Sequence, residues 1–437
     1  MDLGSLSRSH AMTDSPALFE DILSLKDVRF RSSMCALCKG SKMLCGKDRC
    51  SVVARFYSRS RAMKHIDRLD LDGASPPSVF VGRFGYPDVS VGPMIPPYHG
   101  DTSLFDTPER WVGKSIDEII DFRLFMVRGL HRTEVHDVDT RDRMVVQTRE
   151  LALAENPPDV DAHFAKRPWG GLTVHDDVQP FGPSAPMRKF ELSNFKFDRR
   201  LEKAYYDTDL RARDALVALY ENGTLISQLQ RAFSVGAFGV GKRRRFVPTR
   251  WSITAVDSQL GLHLLETTKT NPVLGEYRVY ETDSLDNRWI ILMMPTSWRY
   301  ELIEAWYPST AWNPYSQKIA IFSDHEFFDG RSTYAAIGGC YYAALLAVNE
   351  LLHREGRQAG VVIMRESHPG YILPVGVWNV RENVRAALRK PPRKFRTLKE
   401  ALTHSSSVLD IPMSRWVKNS AVLKDALYQR RIDDVWR

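Results

Sequence analysis

Between Arg250 and Met364 the apolar positions fall into short runs rich in β-branched and aromatic residues. These are Trp251–Val256, Tyr277–Tyr280, Trp289–Met293, Lys318–Phe322 and Val361–Met364, and each is predicted as a strand. One longer stretch, from Ser332 or Thr333 to about Arg354, repeats its apolar residues every three or four places. Ile337, Tyr341, Leu345, Val348 and Leu352 line one helical face, and Gly356 suits the position just past the helix end. Upstream, segments 115–128 and 141–153 have helical spacing. Asp207–Tyr220 reads as a helix stopped by Asn222-Gly223, with Leu210, Val217 and Tyr220 on one face. Ser78–Met94 begins as a strand and continues as a shaped loop of glycines and prolines, and between the two helical segments and about residue 187 lies a Pro- and Gly-rich stretch predicted as extended surface. Together the elements predict an α+β fold with a mixed, largely antiparallel sheet. The expected divisions are a polar leader (1–30), a small cysteine module with a basic flank (31–70), a main domain (71–388) and a basic tail (389–437).

The chain has 437 residues, enough to bury a large core, and a 43% hydrophobic fraction typical of globular proteins. No apolar run approaches the roughly 20 residues of a membrane span. The polar N-terminus lacks an apolar signal core, so a cytoplasmic protein without membrane contact is expected. Net charge is +8, and the excess is concentrated: 14 basic against 7 acidic residues from Arg188 to Arg250, and 8 against 2 from Arg381 to Glu400. Two basic stretches suit a polyanion such as DNA, and equally suit a solvated surface.

Four of the five cysteines lie within sixteen residues, as Cys35, Cys38, Cys45 and Cys50. Two residues between the first pair allow one turn to present both sulfurs to one metal, and the flanking Lys39, Lys42 and Lys47 favour thiolates. Zinc is the default for such a closed, structural site, with an iron–sulfur cluster as the rival that spacing leaves open. Cys340, alone in an apolar helix, reads as core.

Gly236, Gly241 and Lys242 mimic a nucleotide phosphate loop, but Arg243 stands where Ser or Thr should hold magnesium, and no helix pattern follows. A glycine loop carrying Lys242, Arg243, Arg244 and Arg245, with Arg250 close by, fits DNA-backbone contact better; a solvated basic loop is the plain alternative. Arg83 and Tyr86, in the glycine-rich segment Gly82–Asp88, are candidates for phosphate and base contacts. Asp324, His325, Glu326 and Asp329 cluster between a predicted strand and the long helix. Three carboxylates and a histidine there suit Mg²⁺ or Mn²⁺ in phosphodiester hydrolysis, or else simply cap turns and pair with Arg331. Glu366 and His368 would complete that set if their strand neighbours Lys318–Phe322. Trp306, Tyr307 and Trp312 are either base-stacking groups or core.

The last residues place Gln429, Ile432, Val435 and Trp436 at the spacing of a sliding-clamp-binding peptide, with valine where an aromatic is usual. The cysteine cluster, the run Phe80–Met94 (FVGRFGYPDVSVGPM), the run Phe233–Gly239 (FSVGAFG) and this terminal peptide together resemble the archaeal Nre DNA-repair proteins. The resemblance implies DNA-damage repair with recruitment to PCNA, the archaeal sliding clamp, through Gln429, Ile432, Val435 and Trp436. It names no reaction. The preferred reading is a clamp-associated DNA-binding protein, with a metal-dependent nuclease on damaged or branched DNA left open. The alternative is a non-catalytic adaptor bridging the clamp to other repair factors.

Overall fold

The computed structural model describes Val28, Arg29, Cys38, Leu44 and residues 50–169, 172–173, 181–314 and 316–429. In chain order the first elements are β1 (Val28–Arg29), α1 (Ser51–Ile66), β2 (Asp70–Ala74), β3 (Val79–Val81), β4 (Asp88–Ile95), α2 (Ile116–Leu124), β5 (Val127–Glu134) and α3 (Arg143–Ala152). β6 (Asp159–Phe164), β7 (Leu172–Thr173) and β8 (Ser184–Ser193) follow, then four helices: α4 (Arg199–Tyr206), α5 (Ala212–Glu221), α6 (Ile226–Ser234) and α7 (Thr249–Thr268). The second half comprises β9 (Tyr277–Ser284), β10 (Asn287–Met294), β11 (Arg299–Trp306), β12 (Ala320–Glu326), α8 (Gly339–Glu355), β13 (Gly360–Ser367) and α9 (Trp378–Leu388). It closes with β14 (Arg393–Phe395), α10 (Leu398–Val408), α11 (Met413–Asn419) and α12 (Ala421–Tyr428).

β1 pairs with β7 in parallel, and the other strands form two mixed six-stranded sheets, in the orders β2-β6-β8-β5-β4-β3 and β12-β11-β13-β10-β9-β14. Most pairs are antiparallel, as expected; β5 with β8 and β11 with β13 are parallel. In the second sheet, Trp289, Ile291 and Met293 of β10 face the cluster of α8 and α9, while Ile290, Leu292 and Met294 face α10–α12. Helices on both faces explain why this strand reads as an unbroken apolar run rather than an alternation. The tail expected as a basic appendage therefore covers the sheet, with Trp416, Val422 and Leu423 fully buried.

Several predicted elements change. Trp251–Val256 is not a strand but the start of α7, whose buried residues Ser252, Val256, Asp257, Leu260, Gly261, Leu264, Leu265 and Thr268 recur at helical spacing. Six residues were too short a window to show that period, and packing overrides the β-branched preference of Ile253 and Thr254. At Gly261 a Cβ would lie 2.6 Å from Leu345 Cδ2, so glycine allows α7 to approach α8 closely. The long helix begins at Gly339 rather than near 332, and ends where expected at left-handed Gly356 (φ 61°). Segment 115–128 is helical only to Leu124, with β5 starting at Val127. The helix expected at Asp207–Tyr220 starts at Ala212. The loop expected after β3 returns as β4, and the stretch expected as extended surface contains β6, whose Val160, Ala162 and Phe164 are core. No helix among the described residues is long and apolar enough to cross a membrane.

Candidate nucleic-acid interface

The β3–β4 turn, the C-terminal end of α6, the loop after it and the first turns of α5 and α7 meet around a groove of about 490 Å³. That volume falls within the roughly 300–1,000 Å³ of small-ligand sites. Its walls are aromatic. Phe238 and Phe246 are buried beneath it, Phe233 lies at one side, and Tyr86 and Trp251 meet above with ring centres 5.4 Å apart. Arg211, Arg243 and Arg245 stand exposed around the opening, and no carboxylate among the described residues lines it.

The local backbone explains how these residues converge. Val81 N–H donates to Thr249 Oγ1 at 2.9 Å, tying the β3–β4 hairpin to the start of α7. Ser234 Oγ donates to the Val247 carbonyl at 2.7 Å, and Phe246 N–H donates to the Val135 carbonyl at 2.8 Å, which fasten the loop at its base. Gly236 is left-handed (φ 69°), and a Cβ there would lie 2.7 Å from the Arg245 carbonyl oxygen. The loop thus needs glycine where it turns back on itself. The Tyr86-Pro87 peptide bond at the hairpin tip is cis.

The structure divides the predicted basic residues. Lys242, Arg243, Arg245 and Arg250 are exposed, and no ion pair among the described residues engages them or Arg211. Arg244 instead turns inward, donating from Nε to the Gly239 carbonyl and from Nη2 to the Tyr205 and Asp207 carbonyls. Arg83 is exposed and stacks on Phe84, which is 80% exposed. Asp88 sits 4.0 Å from Arg132. The resemblance to a nucleotide phosphate loop ends at the sequence: helix α6 precedes the glycines, and a single 3₁₀ turn, Gly241–Arg243, follows.

Asp324, His325 and Glu326 lie within β12, not in a loop beyond it. Burial pushes the Asp324 carboxyl up. Hydrogen bonds from Arg331 (2.9 Å), the Ala336 N–H and the His325 N–H outweigh that and hold it below its usual value. Glu326 is buried and accepts from Trp298 Nε1 (2.9 Å) and the Tyr341 hydroxyl (3.0 Å). His325 alternates to the other face of the strand from these two, and Asp329 is exposed in the turn beyond. Among the described residues, the set whose donor atoms come within 4.8 Å is Glu366, His368 and Asp410, not these four. β11 separates β12 from β13, so Glu366 and His368 do not join Asp324. Glu366 uses both oxygens to accept the Asp410 and Ile411 N–H groups, at 3.0 and 2.7 Å, and Asp410 pairs with Arg288. That cluster fastens the segment before α11 to β13. Trp306 is buried, Tyr307 stacks on His368 at 4.3 Å, and Trp312 is half-exposed.

Of the cysteine set, Cys38 and Cys50 are buried, Cys50 immediately before α1; Cys35 and Cys45 lie outside the described residues. Gln429 is exposed just past α12, and Ile432, Val435 and Trp436 also lie outside. Sequence reasoning missed Trp251 and Arg211 as site residues. A tryptophan next to Arg250 was the available signal, masked by its assignment to a strand.

Comparison with known proteins adds the lineage. Residues 44–313 match the family model described as archaeal Nre, N-terminal, and residues 326–435 match archaeal Nre, C-terminal. DNA repair protein NreB of Archaeoglobus fulgidus is 39% identical over 391 residues, covering 89% of this chain and 97% of the relative. DNA repair protein NreA of the same organism is 37% identical over 379 residues, 86% of this chain and 93% of the relative. NreA of Haloferax volcanii is 33% identical over 353 residues, 79% and 84% respectively. No solved structure matches the chain. With both halves of the family matched in order and relatives aligned over most of their length, the chain belongs to the archaeal Nre family.

Proposed function

We propose that this protein acts in DNA repair by binding DNA across the face that carries the aromatic groove. The observation behind this reading is the set of exposed cations, Arg211, Lys242, Arg243, Arg245 and Arg250, around a groove that no carboxylate among the described residues lines. Phosphates are met by Lys and Arg that hold no internal partner, and each contact releases counterions on binding. The names of the aligned relatives, all DNA repair proteins, support the biological setting.

Two further parts belong to the reading. Recruitment to PCNA would run through Gln429, Ile432, Val435 and Trp436, which directly follow the packed helix α12. Zinc would be held by Cys35, Cys38, Cys45 and Cys50; burial of Cys38 and of Cys50, which directly precedes α1, is compatible with a closed thiolate site.

The test is binding of the full chain to labelled duplex, single-stranded, flap and forked DNA over a series of salt concentrations. The Lys242→Ala/Arg243→Ala/Arg245→Ala variant should bind more weakly, and its dependence of log affinity on log salt should be shallower by roughly 2–3 units. Affinity unchanged in that variant would move the protein to the adaptor reading. The same DNAs with Mg²⁺ or Mn²⁺, beside Asp324→Ala/Glu326→Ala, test the nuclease: cutting that needs metal and disappears in the variant would establish it. Loss of clamp binding on deleting residues 429–437 tests the recruitment.

A further inference from the structure

We infer that the groove receives one unpaired nucleotide of a DNA strand, its base stacked among the aromatic walls and its phosphate held by the rim arginines. This rests on the DNA-binding reading above and adds what that reading leaves open, namely which DNA is preferred.

Three observations lead to it. The first is size. About 490 Å³ accommodates a single nucleoside, whereas a base pair within a stacked duplex has no way in. The second is wall chemistry. Tyr86 and Trp251 are each close to half-exposed, at 44% and 46%, and Phe233 adds a third partly exposed ring. Large aromatics left open to water in a concave wall are costly, and a base offers two apolar faces that cover them. The third is charge. Arg211 lies at the start of α5, while Arg243 and Arg245 lie on the loop, so cations flank the opening from two elements. An apolar peptide or lipid chain would cover the rings and leave these guanidinium groups without partners. A nucleotide satisfies both.

The walls also bear on sequence preference. Among the described residues the lining contains no Asp, Glu, Asn, Gln, Ser, Thr or His side chain; its polar groups include the Tyr86 hydroxyl and the rim arginines, the latter assigned to phosphate. Stacking serves every base, so recognition follows the absence of pairing rather than base identity. Unpaired nucleotides are what damage, mismatch and strand branching have in common.

The experiment uses the full chain and three labelled DNAs of one sequence: a perfect duplex, the same duplex with one unpaired thymidine, and the single strand. The wild type should bind the two unpaired forms at least about tenfold more tightly than the perfect duplex. In Trp251→Ala that ratio should fall to about threefold or less, and Trp251→Phe should restore most of it, which a purely structural role for Trp251 would not produce. Tyr86→Leu should reduce the ratio in the same direction. Lys242→Ala/Arg243→Ala/Arg245→Ala should lower all three affinities together. Exchanging the unpaired thymidine for adenosine should shift affinity by less than about threefold.

Equal wild-type affinity for paired and unpaired DNA would overturn the inference while leaving DNA binding in place. A preference that survives in both Trp251→Ala and Tyr86→Leu would overturn it too. Failure to bind any of the three DNAs would instead remove the broader DNA-binding reading.

Discussion

Arg244 donates from Nε to the Gly239 carbonyl at 2.7 Å, which separates it in role from the three cations beside it. Its Nη2 reaches the Tyr205 and Asp207 carbonyls at 2.7 and 3.1 Å, and its guanidinium lies over the Tyr205 ring. Arg244→Ala should therefore cost roughly 2–3 kcal/mol of stability, since one buried and two part-buried carbonyls lose a charged donor. Lys242→Ala, Arg243→Ala and Arg245→Ala should each stay within about 0.5 kcal/mol of wild type. Urea unfolding of the four variants measures this; indistinguishable midpoints would contradict the assignment.

Glu326 stands between Trp298 and Tyr341 as the acceptor for both. Glu326→Ala leaves two buried donors unmatched and should destabilise by roughly 2–4 kcal/mol. Glu326→Gln retains an acceptor oxygen and should cost less. Thermal unfolding with and without Mg²⁺ compares them, and a wild-type melting temperature in Glu326→Ala would show that the carboxylate is not a packing element.

His368 stacks on Tyr307 and meets Glu366 at 3.3 Å. The bond to Glu366 raises its pKa above the usual 6.5, against the opposing effect of burial. A histidine with a raised folded pKa binds its proton more tightly when folded, so its stabilisation is fully present below about pH 6.5 and is lost as pH rises through the folded value. Unfolding free energy should decline across that window in the wild type and decline less in His368→Gln. Parallel pH profiles for the two proteins would argue against the coupling.

Trp416 is fully buried where α11 meets the second sheet. Trp416→Ala should cost roughly 3–5 kcal/mol, the scale of a large aromatic removed from a core. A loss below about 1 kcal/mol would mean that the C-terminal helices are dispensable to the fold.

The proposed zinc site predicts about one zinc per purified chain by elemental analysis. Cys38→Ser/Cys50→Ser should lower that content and the melting temperature together. Iron with labile sulfide in place of zinc would turn the assignment to a cluster.

Trp251–Val256 has the local composition of a strand, yet its continuation at helical spacing through Asp257–Thr268 and its close approach to α8 at Gly261 decide for helix. Asp324, His325 and Glu326 looked like a ligand set because they are adjacent in sequence. Strand alternation sends His325 to the opposite face, and Arg331, Trp298 and Tyr341 occupy the two carboxylates.

By itself the sequence determined what depends on local pattern and spacing. It placed the β9, β10 and β13 strands, the end of α8 at Gly356, the family resemblance and the basic loop that carries Lys242, Arg243 and Arg245. Only the tertiary structure decided which of these side chains share a surface. Tyr86 and Trp251 lie far apart along the chain and meet because a hairpin is fastened to the start of a helix through Val81 and Thr249. Arg244 is withdrawn from a run of four cations because the Gly239, Tyr205 and Asp207 carbonyls are there to receive it. Burial and hydrogen-bond partners are properties of the packed chain, and no local pattern encodes them.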